Sequence, residues 1–155
     1  MQSSKLALCL LCIFGLTLSG CGSEESNLPE LTPVKGTITV NGDPAAGVTI
    51  ILYPQQGAAG NTPQDTAFGI SDDNGHFTIQ HRSGAEGVEP GEYSVTFSKM
   101  VMPDGSPMEK GAEPAAVGAK EMLPQQYTNP QYTKEKITVQ KPQDTYDFEL
   151  KARKT

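Results

Sequence analysis

Val34-Lys35-Gly36-Thr37-Ile38-Thr39-Val40-Asn41-Gly42-Asp43-Pro44 is the stretch on which the fold turns. Side chains two apart share a face of a strand, so Val34, Gly36, Ile38 and Val40 lie on one face and Lys35, Thr37, Thr39 and Asn41 on the other. Asn41-Gly42-Asp43-Pro44 then supplies turn chemistry, which ends the strand and sends the chain back.

The same grammar continues downstream. Val48-Thr49-Ile50-Ile51-Leu52-Tyr53 is apolar on both faces over part of its length, which predicts a central strand. Residues 54–63 form a Gly, Gln and Pro loop, Asp65 to Ser71 a short third strand, and Asp72-Asp73-Asn74-Gly75 a tight turn. His76 to Gln80 alternates again with Phe77 and Ile79 inward, and Glu89-Pro90-Gly91 suits a type II turn. Tyr93, Val95 and Phe97 share the next inward face. Ile137 with Val139, and Tyr146 with Phe148 and Leu150, make the last two alternating strands. No helical period runs between Val34 and Ser98. These features predict an all-β domain over residues 34–151, an antiparallel two-layer sandwich of about seven strands with a long insert before the last two. Ile50, Phe77, Val95 and Phe148 are expected among its most buried side chains.

The insert, residues 100–134, holds Pro103, Pro107, Pro114, Pro124 and Pro130 with Gly105, Gly111 and Gly118. Neither a long helix nor a continuous strand can run through such punctuation. At most Ala115 to Leu123 makes a short helix. Met100, Met102, Met108, Val117, Met122 and Leu123 supply an apolar underside with which the insert can cover a sheet. Loops of this length in compact domains are usually functional or disordered, which makes the tip around Asp104 to Glu113 a candidate contact surface.

Upstream the chain has a different character. Lys5 precedes an apolar run, Leu6 to Leu18, of the length of a signal-peptide h-region and too short to span a bilayer. Leu18-Ser19-Gly20-Cys21 follows and resembles the lipobox of bacterial lipoproteins. That resemblance implies removal of residues 1–20, lipidation of Cys21 with more than one acyl chain, and anchoring at a membrane of the cell envelope, facing the periplasm or the surface. Multiple chains anchor stably where one binds only marginally. Cysteine usage agrees: Cys9 and Cys12 leave with the signal peptide, so Cys21 remains as an odd thiol without a disulfide partner. Gly22 stands where an Asp signals inner-membrane retention in enterobacteria, which points to the outer membrane. Residues 22–33, GSEESNLPELTP, are polar, acidic and aperiodic and read as a tether, up to about 37 Å long at roughly 3.1 Å per residue.

Loss of Lys5 takes the formal charge from -6 to -7. An acidic chain without a basic cluster is poorly suited to nucleic acid, whose affinity comes mainly from Lys and Arg on phosphates. It gains no attraction to anionic lipid either.

Val34 to Gly42, Pro44-Ala45-Ala46-Gly47-Val48, Thr66 through Asp73-Asn74-Gly75-His76-Phe77, and Pro90-Gly91-Glu92-Tyr93-Ser94-Val95 together resemble a carboxypeptidase-regulatory-like domain. The resemblance implies a transthyretin-like β-sandwich. Leu123-Pro124-Gln125-Gln126-Tyr127, continuing to Phe148-Glu149-Leu150, is similar to small lipoproteins of planctomycete bacteria that carry one such domain. These motifs are turns and strands, so they imply a fold and bring no catalytic residues.

Catalytic motifs are missing. The sequence has no His-Glu-x-x-His, Gly-x-Ser-x-Gly or phosphate-binding Gly loop, and no free thiol nucleophile once Cys21 is lipidated. Transthyretin-like hydrolases of purine catabolism carry paired histidines and a Tyr-Arg-Gly-Ser motif that this chain lacks. Intradiol dioxygenases, with a similar sandwich, hold iron with two Tyr and two His. Here Tyr93 and Tyr146 fit inward positions, leaving Tyr53, Tyr127 and Tyr132. His76 and His81 are five apart on a strand and diverge. Asp72, Asp73 and Asn74 match a calcium loop only in part. We therefore expect no catalytic residue, metal or cofactor. The candidate contact residues are Asp104, Glu109, Glu113, Tyr127 and Tyr132. The leading expectation is a non-catalytic envelope module, binding or structural, whose partner is an envelope protein or glycan. The alternatives are a carbohydrate-binding module using Tyr127 and Tyr132 as aromatic platforms, and an enzyme with a site that no motif reveals.

Overall fold

A computed structural model describes residues 30–55, 66–109, 111–140, 142 and 144–153. The signal peptide, the cleavage motif Leu18-Ser19-Gly20, Cys21 and the tether up to residue 29 lie outside the described residues, as does most of the loop expected at 54–63. The elements in order are β1 (Val34–Val40), β2 (Asp43–Pro44), β3 (Thr49–Pro54), β4 (Ala67–Ile70), β5 (His76–Thr78), β6 (Gly91–Ser98), β7 (Met100–Val101), β8 (Lys120–Glu121), α1 (Gln125–Thr128), β9 (Lys136–Val139) and β10 (Asp144–Leu150). Among the described residues seven strands have three or more residues, and β2, β7 and β8 have two each.

Two sheets form the sandwich. In the first, β1 is flanked by β10 on one edge and by β2 and β5 on the other. The second has the order β4-β3-β6-β9 and is antiparallel throughout. Val34, Ile38 and Val40 of β1, Ile50 and Leu52 of β3, Phe77 of β5, and Tyr93, Val95 and Phe97 of β6 meet in one buried cluster between the layers. The alternation read from the sequence thus selects the correct inward face on β1, β5 and β6, while β3, apolar on both faces in sequence, turns Ile50 and Leu52 inward.

The expected turns explain themselves. Asn41 (φ 57°) and Gly42 (φ 93°) are both left-handed and join β1 to β2 with two residues, the conformation of a type I′ hairpin turn. Asp72 Oδ1 accepts the amides of Asn74 (2.9 Å) and His76 (2.8 Å), which closes the Asp72–Gly75 turn. At residues 89–91 the outcome differs from a type II turn. Gly91 opens β6 opposite Val139, and the Tyr93 hydroxyl fixes the corner by donating to the Glu89 carbonyl at 2.7 Å.

Four further differences have physical causes. β1 and β10 pair in parallel, Val34 opposite Asp144 through Val40 opposite Leu150, because β9 and β10 belong to different layers and no hairpin fixes their relative direction. As a strand at the sheet edge, β10 leaves Phe148 only partly buried, against the expected core position; its ring still meets Phe97 at 4.9 Å and Phe77 at 6.0 Å. Residues 115–123 form no helix: turns at 114–118 lead into β8, and the one described helical turn is α1, after Pro124. The expected tether stops short of Pro33, since Thr32 is fully buried and exchanges two backbone hydrogen bonds with Val88 (2.7 and 3.0 Å).

Two substitutions test this arrangement. Phe77→Ala is expected to cost about 3 to 5 kcal/mol, and Phe148→Ala about half as much because its ring is already partly in solvent; urea unfolding midpoints measure both. Gly36→Ala is expected to destabilise at least as much as Phe77→Ala, because a Cβ there would overlap the Tyr146 carbonyl oxygen and force β10 off β1.

Candidate binding site

β6 carries both inward and outward residues that are buried, and its run continues past Ser98 into β7. The chain leaves the sheet through Lys99, turns back at residues 102–106 to bridge Pro107 against Val101, and after further turns returns as β8 antiparallel to β7. Asp104 makes that turn. Its Oδ1 accepts the Ser106 hydroxyl at 2.7 Å and the Ser106 amide at 2.9 Å, which together hold the exposed carboxyl below its ordinary range, the hydroxyl contributing most.

Glu121 fastens the excursion to the sandwich. Its Oε2 accepts the Ser98 hydroxyl at 2.6 Å, and its Oε1 accepts the amides of Lys99 (3.0 Å) and Leu123 (2.8 Å). Lys99 O accepts the Met122 amide, and the Arg153 amide and Nε donate to the carbonyls of Met122 and Leu123. Just beyond, Leu123 is fully buried and Tyr127 on α1 packs edge-on against Phe97, ring centroids 6.5 Å apart. The Thr133 hydroxyl donates to the Val95 carbonyl at 2.7 Å. The second half of the insert therefore fills the side of the sandwich along β6 beyond the end of β9.

The first half stands away from the sheet and encloses a groove of about 750 Å³. Met100, Val101, Met108 and Met122 give it apolar walls from the excursion, while Gly47, Thr49 and Ile70 face it from the sandwich. Lys99 also lines it. The Lys99 ammonium donates to the Ala46 carbonyl at 2.6 Å, and burial pushes its pKa below the ordinary lysine value. Asp72, Asp73 and Glu109 are the carboxylates of the lining.

The five candidate residues separate. Asp104, Glu109 and Glu113 are exposed on the excursion, as expected, and Glu109 reaches the groove. Tyr132 is 56% exposed, but Tyr127 is only 9% exposed and belongs to the core. Tyr127 is thus corrected from contact residue to packing residue, and the paired aromatic platform is lost with it. A one-turn helix after Pro124 rotates Tyr127 inward, a placement the surrounding Pro and Gln residues do not signal. Lys99 and Glu121 escaped the sequence reading because the bonds of Lys99 to Ala46 and of Glu121 to Ser98 and Lys99 each span more than twenty residues. His76 on β5 is exposed, whereas His81 lies beyond the end of that strand, in a turn, and is buried with its Nδ1 2.9 Å from the Ser83 hydroxyl.

No family model matches this chain, and no curated protein matches it. Among solved structures the chain is similar to BcpA, the major pilin subunit of Bacillus cereus, with 16% identity and a TM-score of 0.43 over 82% of this chain. A variant of the same pilin gives 14% identity and a TM-score of 0.44 over the same share. The chain spans 31% of the length of those pilin chains. Fold and site together define an all-β sandwich domain with an excursion between β6 and β9 and a groove beneath it.

Removing the Glu121 carboxylate should loosen the excursion first. Hydrogen bonds to a charged group contribute about 1.5 to 3 kcal/mol, and partial exposure reduces that figure. Glu121→Ala is therefore expected to cost about 2 kcal/mol and to raise amide exchange at residues 100–109 and 119–123 more than in β1 or β3, as read by hydrogen–deuterium exchange.

Proposed function

We propose that the protein is a lipid-anchored envelope module, cut before Cys21, whose non-catalytic carboxypeptidase-regulatory-like sandwich binds or braces a partner through its excursion. The observation that carries the anchor is the order of Lys5, the apolar run Leu6 to Leu18, and Leu18-Ser19-Gly20-Cys21, with Cys21 the sole cysteine after the cut. Glu30 is the first described residue and β1 begins at Val34, so only a short acidic segment separates Cys21 from the sandwich. With Tyr127 buried, an envelope protein or small ligand suits the excursion better than a glycan, which needs exposed aromatic faces.

Mass spectrometry of the protein from its native membranes should find a diacylglycerol thioether on Cys21 and no residue before it. Cys21→Ser should leave the chain uncleaved or unlipidated while its melting temperature stays within a degree or two, because the described core cluster is built from residues between Val34 and Leu150. An unmodified Cys21 in the native protein would falsify the anchor. Loss of the fold in the serine variant would overturn the independence of anchor and domain.

A further inference from the structure

Lys99 sits in an unusual position for a lysine. Its chain is part-buried where β6 passes into β7, and its ammonium uses one of three donors on a neutral carbonyl, that of Ala46. The nearby Glu121 carboxylate is already committed to the Ser98 hydroxyl and to the Lys99 and Leu123 amides. A partly desolvated cation that, among the described residues, is held by a carbonyl alone keeps most of its need for a counter-charge.

The surroundings suit an apolar body beside that charge. The groove volume, about 750 Å³, falls within the range of about 300 to 1,000 Å³ common for small-molecule sites. Three of its lining residues are methionines from separate segments: Met100 on β7, Met108 on the turn-back, and Met122 after β8. Thioether side chains are flexible and polarizable, and they pack well against aliphatic and aromatic bodies of varied shape. Asp72, Asp73 and Glu109 in the same lining repel any anion, and a polyanion such as a polyphosphate most. They therefore limit a ligand to one negative group, placed at Lys99.

We propose that this groove binds a small monoanionic carboxylate with a compact apolar body, its carboxylate on the Lys99 ammonium and its body against Met100, Met108 and Met122. The inference deepens the binding reading of the excursion and rests on that reading alone, without requiring the lipid anchor. It also gives the excursion a purpose that a surface tip does not. The three methionines line one groove in the structure in which β7 and β8 are paired and Glu121 is docked.

Methionine-methyl NMR on the full chain tests it, using 4-phenylbutyrate with 4-phenylbutanol and 4-phenylbutylamine as isosteric neutral and cationic controls. The carboxylate is expected to shift the methyls of Met100, Met108 and Met122 saturably. The alcohol should bind at least about tenfold more weakly, as expected when a charge-assisted bond is lost, and the amine more weakly still. Lys99→Gln should lose about tenfold in affinity for the carboxylate and little for the alcohol. If Lys99→Gln disturbs the fold, Met108→Glu, on the excursion away from the core, should also weaken the carboxylate by bringing a like charge to its body. The proposal is overturned by any of three results: no saturable shift up to about 10 mM, a very weak limit; equal binding of acid and alcohol; or a folded Lys99→Gln that binds the acid like the wild type. A lipidated Cys21 without phenylbutyrate binding would sink the groove alone. An unmodified Cys21 with binding intact would sink the anchor alone.

Discussion

Everything in the sandwich hangs from β1, whose two edges are both occupied. β10 lies along its whole length on one side, and β5 and β2 divide the other. The β10 contact closes a very long loop: the Thr37 amide and hydroxyl both donate to Asp147 Oδ1, at 3.2 and 2.5 Å, across 110 residues. Closing so long a loop costs entropy before any packing compensates for it. The pairing is tight at its centre, where Gly36 lies against the Tyr146 backbone with no room for a side chain. Glycine there weakens an isolated strand, and its presence reflects the close approach of the two backbones rather than local preference.

With the terminal strands of the domain locked side by side, the excursion can be large without disturbing the sandwich. It enters from β6 at Ser98 and Lys99 and leaves through residues 133–135, where Val95 donates to Glu135 and accepts from Thr133. Both ends are therefore fixed on the same strand. Between them the two halves are held by different physics. The half from Met122 to Thr133 buries Leu123 and Tyr127 and belongs to the core. The half from Met100 to Glu121 is held by the two-residue β7–β8 ladder, local turns and the Glu121 carboxylate.

How much of this was legible follows from how local each signal is. Alternation is a property of neighbouring residues, so the inward faces of β1, β5 and β6 could be read directly. The Asn41-Gly42 and Asp72–Gly75 turns are likewise decided within four residues. Phe148 was misjudged because periodicity reports which face a residue occupies and not whether its strand lies at an edge. Tyr127 was misjudged because a single helical turn inside a Pro-rich insert changes which way one side chain points. The parallel sense of β10, the role of Glu121 and the setting of Lys99 depend on contacts between distant segments, and composition carries no trace of them.

The contrast between the two halves of the excursion bears on what it can do. A segment held by a hydrophobic core opens only with global unfolding, whereas one held by a few part-exposed hydrogen bonds can open locally at much lower free energy. The groove lies under the loosely held half, and its apolar walls are methionines, the side chains best able to repack. The rigid half meanwhile keeps Met122 in register through its bond to Lys99 O. A fixed wall, a compliant wall and a lysine at their junction form an arrangement that admits a ligand without opening the sandwich. The same lysine sits at the exit from β6, so a ligand's charge would act at the point where the excursion meets the β1-anchored frame.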